Sequence, residues 1–153
     1  DWPDLELHLI GPLQTNKTKD ALALFDVIHT VDRPKLVRSI AKEAQTVGRC
    51  PKLLVQVNTG EEDQKAGVLP SEVEALVQLM RDENLPLAGL MCIPPVEDAP
   101  AGHFAFLKRL ADDLGLPFAS MGMSGDYQTA VELGATHVRV GSAIFGVRPP
   151  LSH

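Results

Sequence analysis

The chain has 153 residues, roughly one domain and enough to bury a core without disulfide staples. Fourteen Lys and Arg stand against 20 Asp and Glu, a formal charge of −6, which argues against a broad basic face for nucleic acid or anionic lipid. A 44% hydrophobic and 22% charged composition is that of an ordinary globular domain, and no apolar run is long enough to cross a membrane.

In chain order, Leu5 to Gly11 alternates and stops at Gly-Pro, as a strand running into a loop does. A short helix over about 17–25 follows, then the β-branched run Val27 to Val31. Asp32 is placed to cap a helix with Pro34 in its first turn, Leu36, Val37, Ile40, Ala44 and Val47 on one face, and Gly48 at its end. Lys52 to Asn58 is the third strand. After a polar loop, Ser71 and Glu74 form a capping box for a helix with Val73, Leu76, Val77 and Met80 inward. Leu87 to Ile93 is the fourth strand, and a helix near 102–114 carries Phe104, Leu107, Ala111 and Leu114 before Gly115. Phe118 to Met121 is a fifth strand, Asp126 caps a helix ending at Gly134, and His137 to Val140 is a sixth strand entering Gly141-Ser142-Ala143. Six strands alternating with helices predict right-handed crossovers and a parallel sheet, either open and doubly wound or part of a closed barrel. Residues 1–153 read as a single domain. A complete (β/α)8 barrel takes about 250 residues, so this chain has room for about six of eight units.

Parallel α/β folds work at the C-terminal ends of their strands. Two such places combine small residues, hydroxyls and a helix start: Met121 to Asp126, containing Met123 and Ser124, and Val138 to Gly146, containing Arg139, Val140, Gly141 and Ser142. Amides without partners at a helix start, next to hydroxyls and glycines, suit a phosphate. Either loop alone serves equally well as a tight turn; together they favour phosphate. Arg139, if it points inward, requires an acidic or ring-nitrogen partner. His8 on the first strand could face a ligand or simply pack, and Asn58 at the end of the third could orient a ligand or form a turn. His29, His103 and His137 lack metal spacing and read as structural, and the charge run Glu61-Glu62-Asp63 reads as a solvated loop. Cys50 and Cys92 show neither CxxC nor metal spacing, which predicts reduced thiols, a cytoplasmic location and no metal.

His8-Leu9-Ile10-Gly11-Pro12-Leu13-Gln14-Thr15-Asn16-Lys17, Gly89 to Pro94, Ser120 to Asp126 and Val138 to Gly146 together resemble the pyridoxal phosphate homeostasis protein family, also called the YggS/PROSC family. This family shares its barrel with the N-terminal domain of alanine racemase. The resemblance implies a (β/α)8 TIM barrel of fold type III, with only about the last six units in this chain. It also implies a pyridoxal 5′-phosphate (PLP) carrier in vitamin B6 homeostasis, monomeric when complete, without established catalysis and with apo PLP-dependent enzymes as partners.

By position, Ser124 would bond the phosphate, Gly141 and Ser142 would add amides and a hydroxyl, Arg139 would meet the pyridine nitrogen, and Met123 would pack nearby. The family's Schiff-base lysine and Gly-Glu-Asn motif lie on its first two strands and have no counterpart here, so the anchor is expected in a preceding segment. Lys65, in the loop after the third strand, reads as solvated rather than as a substitute anchor, while Lys17, also near a strand-end loop, is left open in that role. Two rivals are a PLP-dependent amino-acid racemase, which needs an acid/base on each face of its substrate, and a barrel enzyme acting on a phosphorylated metabolite.

Overall fold

The computed structural model describes residues 2–151. Six strands, β1 (His8–Leu9), β2 (Val27–Val31), β3 (Lys52–Val57), β4 (Leu87–Cys92), β5 (Phe118–Met123) and β6 (His137–Arg139), form one sheet in sequential order, with every pair parallel. The connections carry α1 (Thr18–Leu24), α2 (Pro34–Val47), α3 (Val73–Asp82), α4 (Pro100–Asp113) and α5 (Tyr127–Glu132), and the short α6 (Ser142–Phe145) follows β6.

The sheet is strongly curled. At about 4.8 Å per strand, the outer members of a flat six-stranded sheet would lie about 24 Å apart. The rings of His8 on β1 and His137 on β6 instead stand 5.7 Å apart, and a hydrogen bond joins His29 on β2 to Ser120 on β5. The convex face carries the main core, in which Ile28, Leu53, Val55 and Leu90 pack with Leu36, Ile40, Val77, Phe104 and Leu107 of the helices. The concave face holds a small apolar floor, Val27, Leu54 and Met91 with Phe118 against them. Period-two alternation sends neighbouring residues of one strand to these two destinations. β4 and β5 approach so closely that a Cβ at Gly89 would lie 2.2 Å from the Phe118 carbonyl oxygen, which makes glycine a requirement there.

All six strands and the helices between them fall where the sequence puts them, while the helix entries differ. Asp32 does not cap α2. Pro34 occupies the first turn and holds Arg33 extended, so Asp32 lies one residue too early; its carboxylate accepts from Arg33 Nη1 at 2.8 Å and from the Gly67 amide at 3.0 Å. The Ser71/Glu74 box does not form either, because Pro70–Glu72 makes a 3-10 turn and α3 starts only at Val73. Asp126 stands at the cap position of α5, but its carboxylate accepts from the Met123 amide at 2.7 Å and so closes the loop rather than the helix. β1 is two residues long, β5 extends to Met123, and β6 ends at Arg139, leaving Val140 in the turn. No helix among the described residues is long and apolar enough to cross a membrane.

Candidate functional site

The C-terminal ends of β5 and β6 meet β1 and β2 around a cavity of about 740 Å3, a size suited to a small ligand. It is lined by His8, His29, Met123, Ser124, His137 and Arg139, by Val140, Gly141 and Ser142 of the turn after β6, and by Arg148. Seven of the eight residues singled out in the sequence are thus brought together. Asn58 is not among them. It faces a separate hollow with Gln56 and Lys65, and its carboxamide is engaged on both sides by Glu62, donating to the carbonyl at 2.8 Å and accepting from the amide at 3.1 Å. That is the turn-forming role. Lys65 and Lys17 are exposed, and Lys17 borders a groove beside α1.

Ser124 ties the two glycine-containing loops into one wall. Its Oγ accepts from the Gly141 amide at 3.2 Å and the Ala143 amide at 3.1 Å, which leaves its hydroxyl hydrogen free to donate. The Ser142 amide, in the first turn of α6, has no acceptor within the helix. With the Ser142 hydroxyl and the Arg148 guanidinium on the same rim, the donors outnumber the acceptors. Such a surface accepts an anion.

Arg139 is 8% exposed, and both of its partners are neutral. Nη1 donates to Ser120 Oγ at 2.6 Å and Nη2 to the Cys92 carbonyl at 2.9 Å. No carboxylate pairs with it among the described residues. Burial lowers its proton affinity, with Cys92 and Asp126 opposing, yet a guanidinium stays charged. A buried cation held only by dipoles is unbalanced until an electron-rich group meets it.

Sequence reading treated His29 and His137 as structural and passed over Ser120 and Arg148. His29 Nδ1 lies 2.8 Å from Ser120 Oγ and its Nε2 2.8 Å from His8 Nδ1, while His8 Nε2 lies 2.7 Å from Glu6 Oε1. Burial, followed by the charges of His8, Arg139 and His137, pushes His29 down to about 3, so it is neutral. His137 is lowered as well, first by burial. The available signal was period-two placement: Val27 and Phe118 belong to the concave floor, so His29 and Ser120, two residues on, share that face. His103 lies elsewhere, 3.0 Å from Asp98. Burial raises the Cys92 thiol to about 12 and the Cys50 thiol to about 11, so neither is a ready nucleophile. No group of three or more His, Cys, Asp or Glu among the described residues could hold a metal ion.

The family model for the alanine racemase N-terminal domain matches residues 3–149. The pyridoxal phosphate homeostasis protein of Vibrio cholerae is 46% identical over 94% of this chain and 65% of its own length. That of Deinococcus radiodurans is 44% identical over 94% and 68%. The chain thus spans about two thirds of the length of these curated relatives. Among solved structures, PipY of Synechococcus elongatus without PLP superposes with a TM-score of 0.86 at 39% identity, covering 94% of this chain and 72% of PipY. The PLP-bound form gives 0.80 at 37%, with the same coverage. Alanine racemase of Clostridium difficile, at 17% identity and TM-score 0.74 over 95% of this chain and 40% of its own, shares the fold. The β/α repeat, the convergent loops and these likenesses place the chain in the alanine racemase N-terminal domain family, among the pyridoxal phosphate homeostasis proteins.

Proposed function

We propose that this chain is the larger part of a PLP-binding protein that holds and delivers the cofactor in vitamin B6 homeostasis, within the cytoplasm and without catalytic turnover of its own. The observation that carries the reading is the buried Arg139 guanidinium with only neutral partners, facing the same cavity as the Ser124–Gly141–Ser142 wall. The two features ask for one molecule with an anionic end and an electron-rich ring atom. The PLP-bound state of PipY and the names of the curated relatives support the same ligand.

In this reading Ser124, Ser142 and Arg148 would hold the phosphate, and Met123 and Val140 would give the ring an apolar border. Arg139 donates to the ring nitrogen and, as a permanent cation, keeps it unprotonated. His8 and His137 line the same cavity. PLP supplies an aldehyde and an electron-accepting ring, and an arginine rather than an acid at the nitrogen restrains the second property, which suits storage.

The six units are part of a closed (β/α)8 barrel. Within the described residues β1 and β6 each pair on one side only, and large apolar side chains stand exposed beside both edges: Leu5 and Leu7 near β1, Ile144, Phe145 and Val147 after β6. Two further strands would cover them, and the anchoring lysine would lie there.

The test is titration of the full-length protein with PLP, followed by absorbance, with inorganic phosphate as competitor. Saturable, phosphate-competed binding that Ser124→Ala weakens is expected. A folded protein that binds no PLP would overturn the reading in favour of a barrel acting on another phosphorylated metabolite.

A further inference from the structure

Five groups are joined end to end across the concave face. Glu6 Oε1 is 2.7 Å from His8 Nε2, His8 Nδ1 is 2.8 Å from His29 Nε2, His29 Nδ1 is 2.8 Å from Ser120 Oγ, and Ser120 Oγ is 2.6 Å from Arg139 Nη1. The two ends decide how the middle is wired. A guanidinium only donates, so Ser120 must accept from Arg139; an ionised carboxylate only accepts, so His8 must carry its proton on Nε2. A neutral imidazole has one donor and one acceptor. His8 Nδ1 therefore accepts from His29 Nε2–H, and His29 Nδ1 accepts from the Ser120 hydroxyl. This is the sole arrangement that satisfies every link with both rings neutral.

We propose that His8 and His29 are positioning residues for Arg139: the directed chain from Glu6 through both imidazoles turns a Ser120 lone pair toward the guanidinium and holds it at the wall of the cavity. The chain can run the other way only when His8 carries a second proton. His8 Nδ1–H then points at His29, His29 changes tautomer and donates from Nδ1, and the Ser120 hydroxyl hydrogen loses its acceptor. Ser120 has no exposed surface, so no solvent can satisfy that hydrogen, and the hold on Arg139 is disturbed.

The charges around the chain come from every neighbouring strand. Glu6 lies at the outer end, Lys52 begins β3, the protonated Cys92 thiol and Asp126 sit by Arg139, and His137 flanks both imidazoles on β6. Burial acts first against charge on His29, followed by His8, Arg139 and His137, while His8, bonded to Glu6 at the outer end of the chain, is partly exposed.

The effect on binding rests on the PLP reading, while the wiring is measurable without it. The full-length protein, labelled with 15N, is examined by imidazole NMR, and PLP affinity is followed from about pH 7.5 to about pH 5.5, across the range in which histidines titrate. The variants are His8→Asn, which retains an acceptor near the Nδ1 position but cannot titrate, and Ser120→Thr, which keeps the hydroxyl.

His29 is expected with its proton on Nε2 at the upper pH and on Nδ1 once His8 is charged. On acidification the wild type should lose about tenfold more PLP affinity than His8→Asn loses from its own starting value, the worth of one buried hydrogen bond, and Ser120→Thr should follow the wild type. A proton on His29 Nδ1 at the upper pH, or identical pH profiles for wild type and His8→Asn, would overturn the proposal. If neither protein binds PLP, the cofactor reading fails and the tautomer decides alone: a His29 tautomer that ignores His8 overturns the chain, and one that follows it supports it.

Discussion

The two faces of the sheet are built on opposite terms. The convex face is continuous hydrocarbon, closed by the helices, and its residues are buried without polar obligations. The concave face has an apolar floor, and above it lie His8, His29, Ser120 and Arg139, joined by hydrogen bonds from strand to strand, with the His137 ring against the two imidazoles. One face stabilises the fold; the other spends stability on a site, since a guanidinium and two neutral imidazoles are costly to bury.

Breaking the convex face should give the largest effect. Phe104→Ala removes a fully buried ring from the helix layer and should cost about 3–5 kcal/mol in a denaturant titration. Arg139→Met should sharpen the contrast from the other side. It removes an unbalanced charge from a buried position, so the midpoint of denaturation should hardly move, while PLP affinity measured by absorbance should fall roughly ten- to a hundredfold. A large loss of stability with affinity intact would invert the assignment of the faces.

The third prediction concerns acid. His29 is pushed from 6.5 to about 3 in the folded protein, so below 6.5 the unfolded chain binds a proton that the folded one refuses. Stability therefore rises with pH through this window and is lost as pH falls from 6.5 toward 3, by about 2 kcal/mol at pH 5. Thermal melts of wild type and His29→Gln should show the variant with the shallower acid slope. The smallest effect is Ser124→Ala, which removes a hydroxyl donor and the acceptor of the Gly141 and Ala143 amides from the partly exposed wall, where solvent can replace it. PLP binding should weaken about tenfold or less, with no change in melting temperature.

The convex face was legible in the sequence because it obeys periodicity. Leu36, Val37 and Ile40, or Val73, Leu76 and Val77, announce a helix and its buried side together, and all are buried. Helix entries were less legible. Asp32 and Ser71 carry the right chemistry for caps, but Pro34 and Pro70 nearby displace the first turn. Ser124, Gly141 and Ser142 could be singled out because two strand-end loops of small and hydroxyl residues occur in succession, and the structure brings them to one cavity. His29 and Ser120 could not, since each is an isolated polar residue whose meaning lies in a partner 91 positions away. Asn58 shows the reverse case. Its strand-end position left a ligand and a turn equally open, and its carboxamide donates to and accepts from the backbone of Glu62.

The contact between His8 and His137 also bears on how the molecule comes apart. These rings belong to β1 and β6, which share no backbone hydrogen bonds among the described residues, so their contact across the concave face rests on side chains alone. The helix layer, by contrast, is locked strand by strand. With the outer edges of β1 and β6 covered as proposed, the side-chain contacts across the concave face should loosen first, so that the cavity loses its walls while the convex shell is still intact. Ligand release and global unfolding are then separate events on separate barriers, and a bound molecule bridging the β5, β6 and β1 walls would act as a latch on the first of them.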